Sequence, residues 1–257
     1  MERTFRQPKK SSMVIGRQPV IEAIRSGKML ERIFLLRQAK GDPITRIREL
    51  AAEHRIPISL VPDARLDAMS RGNHQGCIAL AGLVPYLDLQ DLISFVQEQG
   101  RTPLLLMVDG VTDVRNIGAI ARSALCCGAD ALILPQKGVA PLNEEAIKAS
   151  AGALEHLQVC RVEGLVEAAR TLHLNGIRIL AAEKTSGPAL YDCPLNDPLA
   201  VILGSEQLGI QPALLKLSDG SFHIPMAGDF DSFNVSVAAG IILYEIGKQR
   251  GSEKKIS

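Results

Sequence analysis

Three stretches of this sequence carry a guanidinium, a carboxylate, side-chain amides and hydroxyls, each directly after an apolar run. Those are the groups from which a transfer reaction can be built. The first stretch is Asp109-Gly110-Val111-Thr112-Asp113-Val114-Arg115-Asn116-Ile117-Gly118-Ala119-Ile120-Ala121-Arg122. It leaves a strand and enters a helix near Asn116. Gly118 and Arg122 are four apart, so a group resting against the glycine lies within reach of the guanidinium. Taken alone, the stretch also reads as a helix capped by Asn116 with a surface arginine. The second stretch lies at 201–210 and turns through Leu203-Gly204-Ser205-Glu206-Gln207-Leu208-Gly209. A glycine there lets backbone approach a ligand closely, and Glu206 supplies the one carboxylate. The third is Ile224-Pro225-Met226-Ala227-Gly228-Asp229-Phe230-Asp231-Ser232-Phe233-Asn234-Val235-Ser236-Val237-Ala238-Ala239-Gly240, from a strand through a polar loop into a last helix. Ser232 is placed to cap that helix, with Asn234 in its first turn. Ile224, Met226 and Phe233 make an apolar wall beside main-chain polar groups, which suits a purine ring. Ala238, Ala239 and Gly240 allow close packing, against a ligand loop or a second subunit equally.

Such loops need a rigid frame. From Pro103 onward, apolar strands over 104–109, 131–134, 177–182, 199–203 and 222–225 alternate with helical patterns. That alternation predicts an α/β fold with a parallel sheet covered on both faces, whose ligands sit beyond the carboxyl ends of the strands. Before it, helices over 19–26, 43–54 and 64–69 and strands over 32–36, 58–61 and 77–83 predict a small α/β domain spanning 13–84. The segment 85–102 reads as a linker or first helix. The last helix, about 234–250, is apolar on much of its surface and needs a partner on more than one side.

Lys and Arg total 29 against 28 Asp and Glu, so bulk charge announces no polyanion partner and any nucleic-acid contact must be local. The most lopsided stretch is the start, where Arg3, Arg6, Lys9, Lys10 and Arg17 face only Glu2, and residues 1–12 read as a flexible basic arm. Aromatics make up 4% and Trp is absent, which argues against a stacking platform for single strands. The 5 cysteines form no C-x-x-C pair and read as reduced thiols. No H-E-x-x-H spacing occurs, His54, His74, His156, His173 and His223 are scattered, and no metal is expected. No apolar run reaches the roughly 18 residues of a membrane span, and the amino terminus lacks an apolar signal core. A soluble, cytoplasmic protein is expected.

Together the three stretches resemble the SpoU, or TrmH-like, branch of the SPOUT RNA ribose methyltransferases, with motifs N-x-G-x-x-x-R, G-S/A-E-x-x-G and I-P-M-x-G-x-x-x-S-L-N-V-S-x-A in that order. The first 84 residues resemble the L30e-like substrate-binding domain of the rRNA guanosine-2′-O-methyltransferase type. The resemblance implies a SPOUT catalytic domain over 103–257 with a carboxy-terminal trefoil knot, a homodimer with the active site at its interface, and S-adenosylmethionine as methyl donor. It places Leu203, Gly204, Ile224, Met226 and Phe233 in the donor site, and Asn116, Arg122, Glu206, Ser232 and Asn234 in the catalytic and RNA-facing set. Phe233 stands where the motif usually has Leu, and Gln207 where relatives often have Gly or Asn.

A sulfonium donor carries its own leaving group, so the remaining task is to align a ribose oxygen and handle its proton. The family gives that hydroxyl to the motif-one arginine, here Arg122, although a guanidinium stays protonated at neutral pH. Either the site permits transient deprotonation, or Arg122 fixes a phosphate and stabilises the developing alkoxide. The leading substrate by analogy is a guanosine of large-subunit (23S) ribosomal RNA, with transfer RNA as the alternative. Arg17, Asn73, His74 and Gln75 lie in loops suited to RNA contact. A non-catalytic RNA-binding protein of the same fold is the runner-up, and it would need no donor pocket. A nicotinamide oxidoreductase is disfavoured, because Gly204 and Gly209 are five apart and the G-x-G-x-x-G fingerprint fails.

Overall fold

Short, half-buried apolar runs at the amino-terminal end build a mixed sheet. In the computed structural model, which describes residues 13–54, 56–228 and 232–251, contacts divide the chain into two units. One comprises Met1–Leu83 with Leu142–Glu144, the other Val84–Pro141 with Glu145–Ser257. The expected basic arm, with Arg3, Arg6, Lys9 and Lys10, lies outside the described residues, as do Asp229, Phe230 and Asp231 of the third motif.

The first unit runs β1 (Met13–Ile15), α1 (Arg17–Arg25), β2 (Leu30–Leu36), α2 (Asp42–Glu53), β3 (Ile58–Val61), α3 (Asp63–Met69) and β4 (Cys77–Ala81). The sheet order is β1-β4-β2-β3, with β4 antiparallel to both neighbours and β2 parallel to β3. Helical periodicity aims Val20, Ile21 and Ile24 of α1 and Ile44, Ile47, Leu50 and Ala51 of α2 into one core with Ile33, Leu35, Cys77 and Ala79. Strand β1 was not foreseen, because three residues carry too little periodicity to be read. Arg17, expected among the RNA-facing residues, is tied to neighbouring loops: its Nε donates to the Gln75 carbonyl at 2.8 Å and its Nη1 to that of Lys40 at 3.3 Å.

The second unit runs β5 (Tyr86–Leu87), α4 (Leu89–Glu98), β6 (Leu104–Val108), α5 (Val114–Cys126), β7 (Ala131–Pro135), α6 (Glu144–Ala149) and β8 (Gln158–Val162). It continues with α7 (Leu165–Leu174), β9 (Arg178–Glu183), β10 (Leu199–Leu203), α8 (Pro212–Leu215), β11 (Gly220–His223) and α9 (Val235–Gly251). All 7 strands pair in parallel in the order β11-β9-β10-β6-β7-β8-β5. Strands β6, β7 and β10 are buried along their whole length, the burial that a continuous apolar run requires. Leu105, Met107, Ile133, Ile179 and Ile202 pack with Leu92 and Ile93 of α4 and Leu165 and Leu172 of α7. Helices α5 and α9 pack together.

The segment 85–102 holds the expected first helix, α4, whose cap Asp88 accepts from the Gln90 amide at 2.9 Å, and β5 before it adds an edge strand to β8. Two differences from expectation have plain causes. Strand β8 went unread because Gln158 and Arg161 interrupt its apolar pattern. Strand β11 begins at Gly220 and ends at His223, so Ile224, Pro225 and Met226 belong to the crossing that follows it. Pro225 has no amide to extend the ladder. At the far end of α9, the Arg250 guanidinium donates to the carbonyls of Leu195, Thr102, Pro103 and Asp197, which anchors the carboxy-terminal helix.

Candidate active site

Strand β10 lies between β9 and β6, and the second motif begins where it ends. Leu203 is its last residue and is buried. The chain then folds back on itself: the Ser205 amide donates to the Gly209 carbonyl at 3.1 Å and the Gly209 amide to the Ser205 carbonyl at 2.9 Å. The Ser205 hydroxyl accepts from the Leu208 amide at 3.1 Å. A Cβ on Gly204 would stand 2.5 Å from the Gly209 carbonyl carbon and 2.7 Å from the Ile210 nitrogen. The bare Cα at Gly204 therefore serves the closure of the loop itself, rather than only the approach of a ligand. Asp109, just beyond β6, holds the exit of the loop by accepting from the Gln211 amide at 2.8 Å.

The three motifs meet at Asn234. Its Nδ2 donates to Glu206 Oε1 at 2.5 Å and to Asn116 Oδ1 at 3.2 Å. Its Oδ1 accepts from the Ser236 amide at 2.9 Å and the Ser236 hydroxyl at 2.6 Å, so Asn234, not Ser232, caps α9. Glu206 Oε1 also accepts from the Val235 amide at 3.3 Å, placing a carboxylate at the positive end of that helix. At α5 the cap is Asp113, whose Oδ1 accepts from the Arg115 amide at 2.7 Å, and Asn116 lies inside the first turn. Hydrogen bonds from the Arg115 guanidinium and then from the Arg115 amide hold the Asp113 carboxyl below the usual range.

Beside this junction opens a cavity of about 470 Å³. Leu203, Gly204, Ile224, Met226 and Phe233 all line it, and so do Glu206, Ser232, Val235, Ala238 and Ile242. Asn116, Arg122 and Asn234 are not in its wall. Arg122 projects from α5, exposed, and among the described residues nothing hydrogen-bonds or ion-pairs with its guanidinium. Gly118 does not form a ligand rest beneath it. A Cβ there would lie 2.6 Å from Ala149 Cβ and 2.7 Å from the Ala146 carbonyl oxygen, so the glycine is where α5 packs against α6.

A family profile described as the SpoU rRNA Methylase family matches residues 103–244, which contain all of these groups. The chain belongs to this family. A second profile, described as RNA 2′-O ribose methyltransferase substrate binding, matches residues 13–87. The SpoU chain is 32% identical over 237 residues to a putative TrmH family tRNA/rRNA methyltransferase, YacO, of Bacillus subtilis, covering 92% of this chain and 95% of that one. It is 35% identical to an uncharacterized tRNA/rRNA methyltransferase of Synechocystis, covering 94% of this chain and 64% of the relative. Among solved structures, the SpoU methyltransferase AviRb from Streptomyces viridochromogenes matches with a TM-score of 0.61 at 25% identity, over 95% of this chain and 91% of that one. The same enzyme in complex with the cofactor AdoMet matches with a TM-score of 0.60. The fold of this SpoU protein is thus that of the SPOUT methyltransferases, behind an amino-terminal substrate-binding domain.

Sequence reading missed one wall of the cavity. Glu183, Lys184, Thr185 and Ser186 leave β9 and line it. The available signal was a polar run directly after an apolar strand, the same signal that marked the other motifs. Burial pushes the Cys77 and Cys160 thiols up to about 12, while Cys126 is exposed on α5. Asp63, Asp67 and His74 group in the first unit of the SpoU chain. There His74 Nδ1 accepts from the Gly76 amide at 3.0 Å, which leaves Nε2 to carry the proton and donate to Asp67 at 3.1 Å. Among the described residues no helix is long and apolar enough to cross a membrane.

Proposed function

We propose that this SpoU protein transfers a methyl group from S-adenosylmethionine, held in the 470 Å³ cavity, to the ribose 2′-hydroxyl of a guanosine in large-subunit ribosomal RNA. The observation that carries the donor site is the gathering of Leu203, Gly204, Ile224, Met226 and Phe233, from two distant motifs, around one cavity. Its volume falls in the range of about 300–1,000 Å³ that small-molecule sites occupy. The apolar side chains beside the Gly204 loop suit the face of an adenine. RNA as substrate is supported by the substrate-binding profile, and ribosomal RNA by the description of the family; the tRNA/rRNA description of the TrmH relatives keeps transfer RNA as the alternative.

The bound donor supplies a methyl already activated on sulfonium, so the chain's own groups have to position and stabilise. Asn234 is held on both sides by Glu206 and Asn116, which fixes the start of α9 against the cavity mouth. Among the described residues Arg122 has no partner, and it is exposed, able to meet an incoming phosphate or a developing alkoxide with a planar pair of donors. A charged guanidinium is a poor base, so this role is favoured over transient deprotonation. The homodimer belongs to the same reading. Val237 and Tyr244 of α9 are 49% and 70% exposed while the opposite side of the helix is buried, and Leu125 of α5 adds to the apolar surface. The trefoil knot and a cytoplasmic location complete it; for the knot, support comes from the return of the chain from edge strand β11 to α9 beside α5.

The test is tritium transfer from labelled S-adenosylmethionine into total RNA from a host lacking the protein, with nuclease mapping of the label. Label in one alkali-resistant dinucleotide of large-subunit ribosomal RNA is expected. Label in transfer RNA would overturn the substrate, and no transfer together with no donor binding would overturn the enzyme.

A further inference from the structure

The cavity is chemically two-sided. Leu203, Ile224, Met226, Phe233 and Ile242 supply apolar wall, whereas the end of β9 supplies Glu183 and the segment after it Lys184, Thr185 and Ser186. Glu183 is half-buried and Lys184 exposed. Among the described residues neither makes an ion pair or a hydrogen bond through its side chain, with each other or with anything else. Two opposite charges therefore stand at consecutive positions on the wall of a ligand cavity without neutralising one another.

The donor is equally two-sided, with a purine nucleoside at one end and an α-amino acid at the other. An isolated carboxylate on the wall would attract the ammonium of that amino acid and repel its carboxylate. An isolated lysine would do the reverse. Only a pair of opposite sign is complementary to both charges of a zwitterion; a nucleoside alone can use a carboxylate, on its ribose hydroxyls, but not the lysine beside it. We propose that Glu183 and Lys184 form the subsite for the zwitterionic tail of the donor, Glu183 taking the α-ammonium and Lys184 the α-carboxylate. The proposal rests on the donor-site reading above and names the groups that would select the amino acid end. It also explains why the polar run follows β9: that strand is the direct neighbour of β10, which ends in the Gly204 loop.

The experiment is calorimetric titration of the full chain with two probes. S-adenosylhomocysteine carries nucleoside and tail; 5′-methylthioadenosine carries the nucleoside without the tail. Wild type, Glu183→Gln and Lys184→Met are compared. Each substitution is expected to weaken S-adenosylhomocysteine by about tenfold, the loss of one charge-assisted hydrogen bond. Each should leave 5′-methylthioadenosine within about twofold of wild type, which also reports that the variant is folded. Equal weakening of both probes would overturn the proposal in favour of contact with the ribose or a change in loop structure. Unchanged binding of both would overturn it as well. A wild-type protein that binds neither probe would bring down the donor-site reading and this subsite together, an outcome distinct from the other two.

Discussion

Replacing Gly204 with Ala adds one methyl group at the point where the second motif closes on itself. Its Cβ would lie 2.5 Å from the Gly209 carbonyl carbon, 2.7 Å from the Gly209 oxygen and 2.7 Å from the Ile210 nitrogen. Ordinary contact between such atoms begins at about 3.5 Å, so a gap of about 1 Å must open. All three neighbours are backbone, and no side chain can rotate away. The 3.1 and 2.9 Å hydrogen bonds between Ser205 and Gly209 must stretch or break for the strand end and the loop exit to part. Forcing a methyl into a packed site costs about 1–3 kcal/mol. If the displaced loop is part of the donor site, that cost appears in the dissociation constant for S-adenosylhomocysteine as a rise of about fivefold to a hundredfold. Gly118→Ala is the control. Its Cβ meets Ala149 Cβ at 2.6 Å, an equal clash in the packing of α5 on α6 rather than at the cavity. That variant should lose about 2–4 °C in Tm for each kcal/mol while the folded protein keeps its affinity. Calorimetric titration and thermal unfolding of both variants are the assay. A Gly204→Ala protein that binds within twofold of wild type would refute the assignment of this loop to the donor site.

Arg122→Lys should keep wild-type Tm and donor affinity, because nothing among the described residues depends on the guanidinium; methyl transfer should fall by about a hundredfold or more, and near-normal turnover would remove Arg122 from the reaction. Cys77 and Cys160 have folded pKa values raised from 9.0 to about 12, so unfolding releases their protons more easily and their stabilising contribution, complete below pH 9, is lost as pH rises from 9 towards 12. Urea titrations should show a loss of about 1.4 kcal/mol per pH unit for each thiol above pH 9, reduced in Cys160→Ala; a pH-independent midpoint would contradict the burial. Val237→Glu with Tyr244→Glu places two charges on the exposed apolar side of α9 and should give monomers by sedimentation with loss of transfer. A wild-type protein that sediments as a monomer at micromolar concentration would end the dimer reading.

Much of the frame was legible because it rests on local periodicity. The strands β6, β7 and β10 are uninterrupted apolar runs, and the helices α1 and α2 place their apolar residues on one face, so each announces itself within a short window. Strand β8 did not, since a central strand with Gln158 and Arg161 gains its place from its neighbours rather than from its own pattern. The site was legible as three motifs, but their internal roles were not. Asn116 and Ser232 looked like helix caps, whereas Asp113 and Asn234 do the capping. Capping depends on where the helical dihedrals begin, and sequence locates that only to within a residue or two. Gly118 looked like a ligand rest because an exposed glycine and one pressed against α6 are identical in sequence.

By itself, then, the sequence determined which groups could take part: one guanidinium, one carboxylate, two amides, one hydroxyl and an apolar wall, each next to a strand that periodicity could find. Only the tertiary structure decided that Asn116, Glu206 and Asn234, separated by up to 118 residues, share hydrogen bonds, and that Glu183 and Lys184 join the cavity. The physical reason is the parallel sheet. Its strand order sets β9, β10 and β6 side by side, so loops remote in the chain converge at one edge, and no local pattern in the sequence records that order.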